Sequence, residues 1–254
     1  MAIDLPILLR AYAAGLFPMA DDREAPSIYW VQPEQRAILP LDGFHLSRSL
    51  RKTIRAERFA VTANRAFERV IALCAQSADD RPTTWINSEI EEAFIRLHRA
   101  GMAHSVECWL PGDSSAEPQL VGGLYGLAMG RAFFGESMFS RARDASKVAM
   151  AWLVARLRVG GFTLLDCQFM TDHLATLGAV EVSAERYSAL LDAALTPGAG
   201  TAPDFGALES LVASADAASL VPPALDAPAA REATRTVSSP VSGHVIAQLI
   251  TQTS

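Results

Sequence analysis

Between residues 104 and 195 the apolar pattern switches from strict alternation to helical spacing and back, and that switch restricts the fold more than any other feature. HSVECW (104–109) alternates, and QLVGGLYGLA (119–128) and RAFFGE (131–136) read as hairpin partners. The run ASKVAMAWLVARLR, stopped by Gly160 and Gly161, then separates that hairpin from the apolar strand FTLLDC (162–167). TDHLATL is a short helix, AVEVS a strand and SAERYSALLDAAL a closing helix. Antiparallel strands followed by helix–strand alternation predict an α+β fold with a mixed sheet.

Upstream, Asp4 with Pro6 in the first turn opens a helix that Gly15 ends. Residues 16–44 are Pro- and Asp-rich and predict irregular chain with short strands. Ser47 caps a helix running to Arg58, FAVT (59–62) is a strand, and Asn64 caps AFERVIALCAQ. Ser88 and Glu91 form a capping box for IEEAFIRLHRA. A change of composition near residue 196 sets a tail (197–254) apart from the rest of the chain. The tail holds six of the 14 prolines and predicts a flexible segment, in which only GHVIAQLITQ (243–252) is suited to docking.

The 22 Lys+Arg against 28 Asp+Glu give a net charge of -6, a sum that argues against a nucleic-acid partner. The distribution says otherwise. Five basic side chains fall within residues 48–58, where Glu57 is the single acid. Arg48, Arg51, Lys52 and Arg55 lie at i, i+3, i+4 and i+7 and share one helix face, opposite Leu50 and Ile54. A merely solvated face mixes both signs; on composition alone, solvation and phosphate contact stand level here. Cys74, Cys108 and Cys167 form no CxxC pair and read as buried, reduced thiols, and the five histidines show no ligand spacing, so neither metal nor cofactor is expected. No spanning segment or signal peptide is legible, which predicts a cytoplasmic protein with no membrane partner.

Two stretches could carry chemistry. In LDCQ (165–168), Asp166 ends an apolar strand, and Gln168 follows two residues on, so the two share a face and could form a proton-accepting pair. The simpler reading has Asp166 satisfying backbone amides of the next turn. In GESMFSRARDASK (135–147), Glu136 and two serines precede a helix N-terminus, which suits an anion or a developing oxyanion. The glycines of an acyl-CoA phosphate loop are missing there.

Taken in order, GLFPM (15–19), TWI (84–86), AHSVE (103–107), LVGGLYG (120–126), FFGESMFS (133–140), ASK (145–147), LDCQ (165–168) and HLATLGA (173–179) resemble the leucyl/phenylalanyl-tRNA–protein transferase family. The resemblance runs from about Leu8 to Leu190. It implies a small N-terminal α/β domain (1–62) and a larger mixed-sheet catalytic domain (63–196) similar to the GNAT acetyltransferases. It implies transfer of Leu or Phe from charged tRNA to the α-amine of proteins that begin with Arg or Lys, marking them for N-degron degradation, by a monomer. Asp166 matches the family's proposed base, Gln168 its relay partner and Glu136 a further active-site acid; in a rival account the tRNA's own ribose hydroxyl shuttles the proton and Asp166 and Gln168 position the amine. Leu124, Phe133, Met138, Met150 and Leu153 match an apolar aminoacyl pocket, where flexible methionines suit both Leu and Phe and admit some Met. Trp85 matches one of two aromatic side chains that hold the terminal adenosine, and Met19 stands at the other position. The helix carrying Arg48, Arg51, Lys52 and Arg55 then becomes the tRNA contact. The runner-up is an acyl-CoA-dependent GNAT-type N-acyltransferase, and a third reading is a tRNA-binding module without catalysis.

Overall fold

The computed structural model describes residues 2–76, 83–112, 117–197, 201–219 and 241–251. The chain opens with helix α1 (Leu5–Ala13), capped as expected by Asp4, whose Oδ1 accepts from the Ile7 amide at 2.9 Å. A two-stranded ribbon, β1 (Phe17–Met19) against β2 (Tyr29–Val31), leads to β3 (Gln35–Ile38). The basic helix α2 (Arg48–Arg55), β4 (Ala60–Ala63), α3 (Phe67–Cys74) and α4 (Ser88–Arg99) follow. The antiparallel run β5 (Ala103–Leu110), β6 (Gln119–Met129) and β7 (Ala132–Ser140) precedes helix α5 (Ala145–Val159) and strand β8 (Leu164–Gln168). Then come α6 (Asp172–Ala175), β9 (Val180–Ser183), α7 (Ala184–Leu195), α8 (Ala207–Ser219) and α9 (Gly243–Thr251).

Seven of the described strands form one sheet in the order β4-β5-β6-β7-β8-β3-β9, antiparallel throughout except for the β7–β8 pair. This is the mixed sheet that the sequence pattern predicts. β3, placed by the family resemblance within an N-terminal domain of residues 1–62, lies inside the sheet between β8 and β9. Its Ala37 and Ile38 are buried there, so a boundary at 62/63 cuts through the sheet. One face of the sheet is covered by α2, α5, α8 and α9 and the other by α1, α3, α4 and α7. α5 is apolar nearly all round because the sheet lies on one side and α2, α8 and α9 on the other. Among the described residues no helix is long and apolar enough to cross a membrane.

Two caps differ from expectation. Asn64 adopts φ +58° and spends its side chain on the Ser105 amide and His104. The amides of Arg65 and Ala66, just before α3, are met instead by Oε1 of the buried Glu107 at 3.2 and 3.3 Å, a partner from β5 that local spacing cannot reveal. α4 is capped by Asn87 rather than Ser88.

Much of the segment beyond residue 196 is folded rather than flexible in its described parts. Phe205 stacks on His104 at 4.1 Å and on Phe133 at 5.6 Å, and Leu208 is fully buried. Glu209 pairs with the buried Arg156. Few but large anchors thus dock a helix that its Ala- and Ser-rich composition disguises. α9 docks as its apolar cluster predicts, burying Ile246, Ala247 and Ile250. Residues 220–240 of the predicted tail lie outside the described residues.

The close approach of α5 to β6 depends on Gly122, where an added Cβ would sit 2.5 Å from the Ala145 Cβ. Gly122→Ala is expected to push the first turn of α5 away and to cost ~1–3 kcal/mol, read by chemical denaturation. An unchanged midpoint would show that the helix start is not pressed onto the sheet.

Candidate active site

The parallel pairing of β7 with β8 ends at Phe134 opposite Asp166. Just beyond, the β6–β7 ladder shifts register: Gly126 faces Gly135 and Tyr125 faces Ser137, which leaves Glu136 as the extra residue of a bulge. A cleft of about 550 Å³ opens there. Ligand sites commonly lie at the carboxyl ends of parallel strands, where the sheet stops being continuous. Its walls come from the cores on both sides of the sheet, with Leu124, Met150 and Leu153 from one and Phe17, Met19 and Trp85 from the other.

Beneath the cleft lies a buried ion pair. Arg36 on β3 donates from Nε to Asp166 Oδ1 at 2.9 Å and from Nη2 to Oδ2 at 2.7 Å. Its Nη1 donates to the Gly15 carbonyl at 2.9 Å. The guanidinium carbon lies 4.7 Å from the Phe17 ring centre and 4.5 Å from that of Tyr187, so two aromatic faces enclose it. Burial opposes its charge and Asp166 more than restores it, raising Arg36 above the ordinary arginine value. The Tyr187 hydroxyl donates to Asp166 Oδ2 at 2.7 Å, and the Gln168 amide donates to Oδ1 at 2.9 Å. A carboxylate has about four acceptor positions. All are taken, and Asp166 is fully buried.

The Gln168 amide bond to Asp166 comes with a left-handed backbone at Gln168, φ +58°, which a non-glycine residue adopts only when its surroundings hold it there. Gln168 Nε2 donates to Glu136 Oε1 at 3.2 Å. Glu136 is 8% exposed, and its Oε2 has no hydrogen-bond partner. Burial pushes its carboxyl up to about 8, with the Asp166 charge adding to the rise while the Tyr12 hydroxyl and Arg36 oppose it. Tyr12, fully buried, is itself raised, by burial first and by Glu136 next.

Of the residues singled out from sequence, Glu136, Gln168, Leu124, Met138, Met150, Leu153, Trp85 and Met19 line this one cleft. Asp166 lies behind it. Phe133 does not line it either: it shares a face with Met138 but sits on the far side of the bulge, covered by Phe162 and Phe205. Arg48, Lys52 and Arg55 are exposed and Arg51 half-buried on α2, around a second concavity of about 510 Å³. Thr53 of α2 bonds Asp144 at 3.4 Å, just before α5, whose Ser146 lines the cleft. All three cysteines are free and buried, and burial raises the thiols of Cys108 and Cys167. Among the described residues no three His, Cys, Asp or Glu side chains come together as a metal site requires. Sequence reasoning missed Arg36, Tyr187, Tyr12 and Phe169. An arginine inside QRAIL and an exposed aromatic directly after LDCQ were the only local signals.

Comparison with known proteins follows the same lines. Residues 38–192 match the family described as leucyl/phenylalanyl-tRNA protein transferase, and residues 1–34 match that family's N-terminal domain. The chain belongs to the leucyl/phenylalanyl-tRNA protein transferase family. A leucyl/phenylalanyl-tRNA–protein transferase of Rhizorhabdus wittichii is 59% identical over 100% of this chain and 99% of its own. Its namesake in Zymomonas mobilis is 59% identical over 76% of this chain and 70% of its own, and that of Maricaulis maris is 53% identical over 83% and 93%. Among solved structures, a crystal structure of FemX aligns with 70% of this chain and 66% of its own at 12% identity and a TM-score of 0.48. As a member of this family the protein is an aminoacyltransferase.

Two outcomes follow for this transferase. Arg36→Met leaves the buried Asp166 charge unpaired and the Gly15 carbonyl without its donor and is expected to lose ~3–5 kcal/mol of stability by denaturant titration. Arg36→Lys should not restore it, since a point charge cannot span both carboxylate oxygens and reach Gly15 as well. Glu136, raised to about 8, keeps in the fold a proton that the unfolded chain releases, so its contribution to stability falls as pH climbs from the ordinary carboxylate range to about 8. Glu136→Gln removes that fall. The Tm difference, variant minus parent, should rise across that window and level off above it; a difference independent of pH would contradict a raised Glu136.

Proposed function

We propose that the protein moves Leu or Phe, and Met less readily, from the 3′ end of charged tRNA to the α-amine of proteins beginning with Arg or Lys, marking them for N-degron degradation. The observation that carries this reading is the content of the single cleft. It holds an apolar recess of Leu124, Met138, Met150 and Leu153, the aromatic Trp85 beside Met19, and the polar pair Glu136 and Gln168. An apolar recess admits Leu and Phe by shape, and a methylene is worth only ~1–3 kcal/mol there, so Met leaks in. Adenine stacks on Trp85 in this account. Phe169, 45% exposed and edge-on to Phe17 at 5.6 Å, lines the same cleft and offers the second aromatic face that Met19 does not.

An aminoacyl ester is already activated, so aminolysis needs orientation and relief of a proton. The attacking α-amine has a pKa near ~8. Glu136, raised to about 8, therefore matches it and takes the ammonium proton with little free-energy change. As the C–N bond forms and the ester C–O bond breaks, that proton goes to the departing ribose oxygen, and the proton shed by the new amide nitrogen passes through Glu136 to solvent. Gln168 spends its NH₂ on Glu136, which leaves its amide oxygen to accept from the amine and aim it at the ester carbonyl. Asp166, with every acceptor position filled, holds Gln168 in its left-handed conformation. We read the parallel β7–β8 pair, crossed over by α5 and open at its C-terminal ends, as a GNAT-like acyl-transfer core, with α2 as the acceptor-stem contact.

The direct test incubates the protein with radiolabelled Leu-tRNA and an Arg-initiated peptide under single-turnover conditions. Label is expected in the peptide, and none with acetyl-CoA as donor. Glu136→Gln should slow transfer roughly a hundredfold or more. Absence of label in the peptide with the parent protein would refute the reading.

A further inference from the structure

We infer that α9, which lies beyond residue 192 where the family match ends, forms the second wall of the phosphate-binding groove and that His244 contacts the RNA backbone there. The inference rests on the reading that α2 meets tRNA and extends it to an element that no sequence motif connects with RNA.

α9 lies along α2 with Ile246, Ala247 and Ile250 turned into the same core as Leu50 and Ile54. The contact is unusually close at Gly243. A Cβ there would sit 2.0 Å from the Ile54 carbonyl oxygen and 2.9 Å from its carbon, backbone atoms that cannot swing aside. This approach leaves the basic face of α2 open and places the exposed His244 beside it. Arg48, Arg51, Lys52, Arg55 and His244 line one concavity of about 510 Å³.

Charge within the groove is unspent. Among the described residues none of the four α2 cations is in an ion pair, and the buried Arg51 Nε has no hydrogen-bond partner. Glu57, the one acid in residues 48–58, does not neutralise them: its Oε1 accepts from the Gly243 amide at 3.0 Å and so secures α9 instead. Four cations and an imidazole N–H, with no carboxylate among the described residues that line the concavity, match a run of phosphodiesters, which offers acceptors only. A cationic wall alone would bind phosphate through charge. A second wall fixes where the strand lies, so α9 sets the position of the acceptor stem relative to the cleft.

The test uses the full-length protein and compares kcat/KM for Leu-tRNA with that for a leucyl-adenosine ester, a donor too short to reach the groove, beside tRNA affinity by fluorescence anisotropy. His244→Ala is expected to weaken tRNA binding roughly three- to tenfold and to lower the tRNA-over-ester preference by a similar factor. Gly243→Ala, which displaces α9 while keeping every cation, should do at least as much, with faster amide exchange over 243–251 confirming the displacement. If both variants bind tRNA as the parent does while Arg48→Ala/Lys52→Ala weakens binding, the groove ends at α2 and the inference about α9 is wrong. If the double variant also binds normally, the reading that α2 contacts tRNA falls as well. An equal loss on both donors with His244→Ala would likewise overturn the assignment.

Discussion

A buried guanidinium and a buried carboxylate hold the active-site end of the sheet together. Desolvating Arg36 and Asp166 costs several kcal/mol per ion, and a single Coulombic contact does not reliably offset that. Here the cost is met by saturation. Asp166 receives four donors, and Arg36 bonds both carboxylate oxygens and a carbonyl between two aromatic faces. Those contacts tie β3 to β8, to α7 through Tyr187, and to the N-terminal ribbon through Phe17 and the Gly15 carbonyl. A network with every member satisfied specifies one arrangement, because any slip leaves charge unpaired in the interior.

The candidate site divides along the same line. Asp166 is inside the network and outside the cleft, while Gln168 and Glu136 line the cleft itself. The strained Gln168 backbone and the Glu136 bulge are the two local irregularities that turn these side chains toward each other, and both sit where β7 and β8 part. Burial, which makes Glu136 a weak acid, also tunes it to an amine. The cations of α2 gather elsewhere, around a concavity of their own, so an overall charge of -6 coexists with a local cationic groove.

The sheet was legible because strand alternation, the Gly160–Gly161 stop and the apolar α5 are local signals of adequate length. The register of β3 was not: four residues, QRAI, carry too little pattern to show that they insert between β8 and β9. Asp166, Gln168 and Glu136 could be named from the chain, but their division of labour could not. That division depends on Arg36 and Tyr187, which lie 130 and 21 residues away from Asp166. Phe133, which the family resemblance placed in the pocket, packs on Phe162 and Phe205 on the far side of the Glu136 bulge, a position that no local signal shows. Docking of residues 201–219 escaped notice because two side chains, Phe205 and Leu208, outweigh a composition typical of linkers.

The central claim is that Glu136 exchanges the proton and Asp166 holds the frame. Single-turnover transfer measured against pH in Asp166→Asn and in Glu136→Gln separates the two roles. The account predicts that Asp166→Asn lowers the rate at every pH yet keeps a second titration beside that of the acceptor amine, moved down from about 8 because the Asp166 charge no longer raises Glu136, whereas Glu136→Gln leaves the amine's titration alone. A second titration that vanishes with Asp166→Asn and survives Glu136→Gln would contradict it.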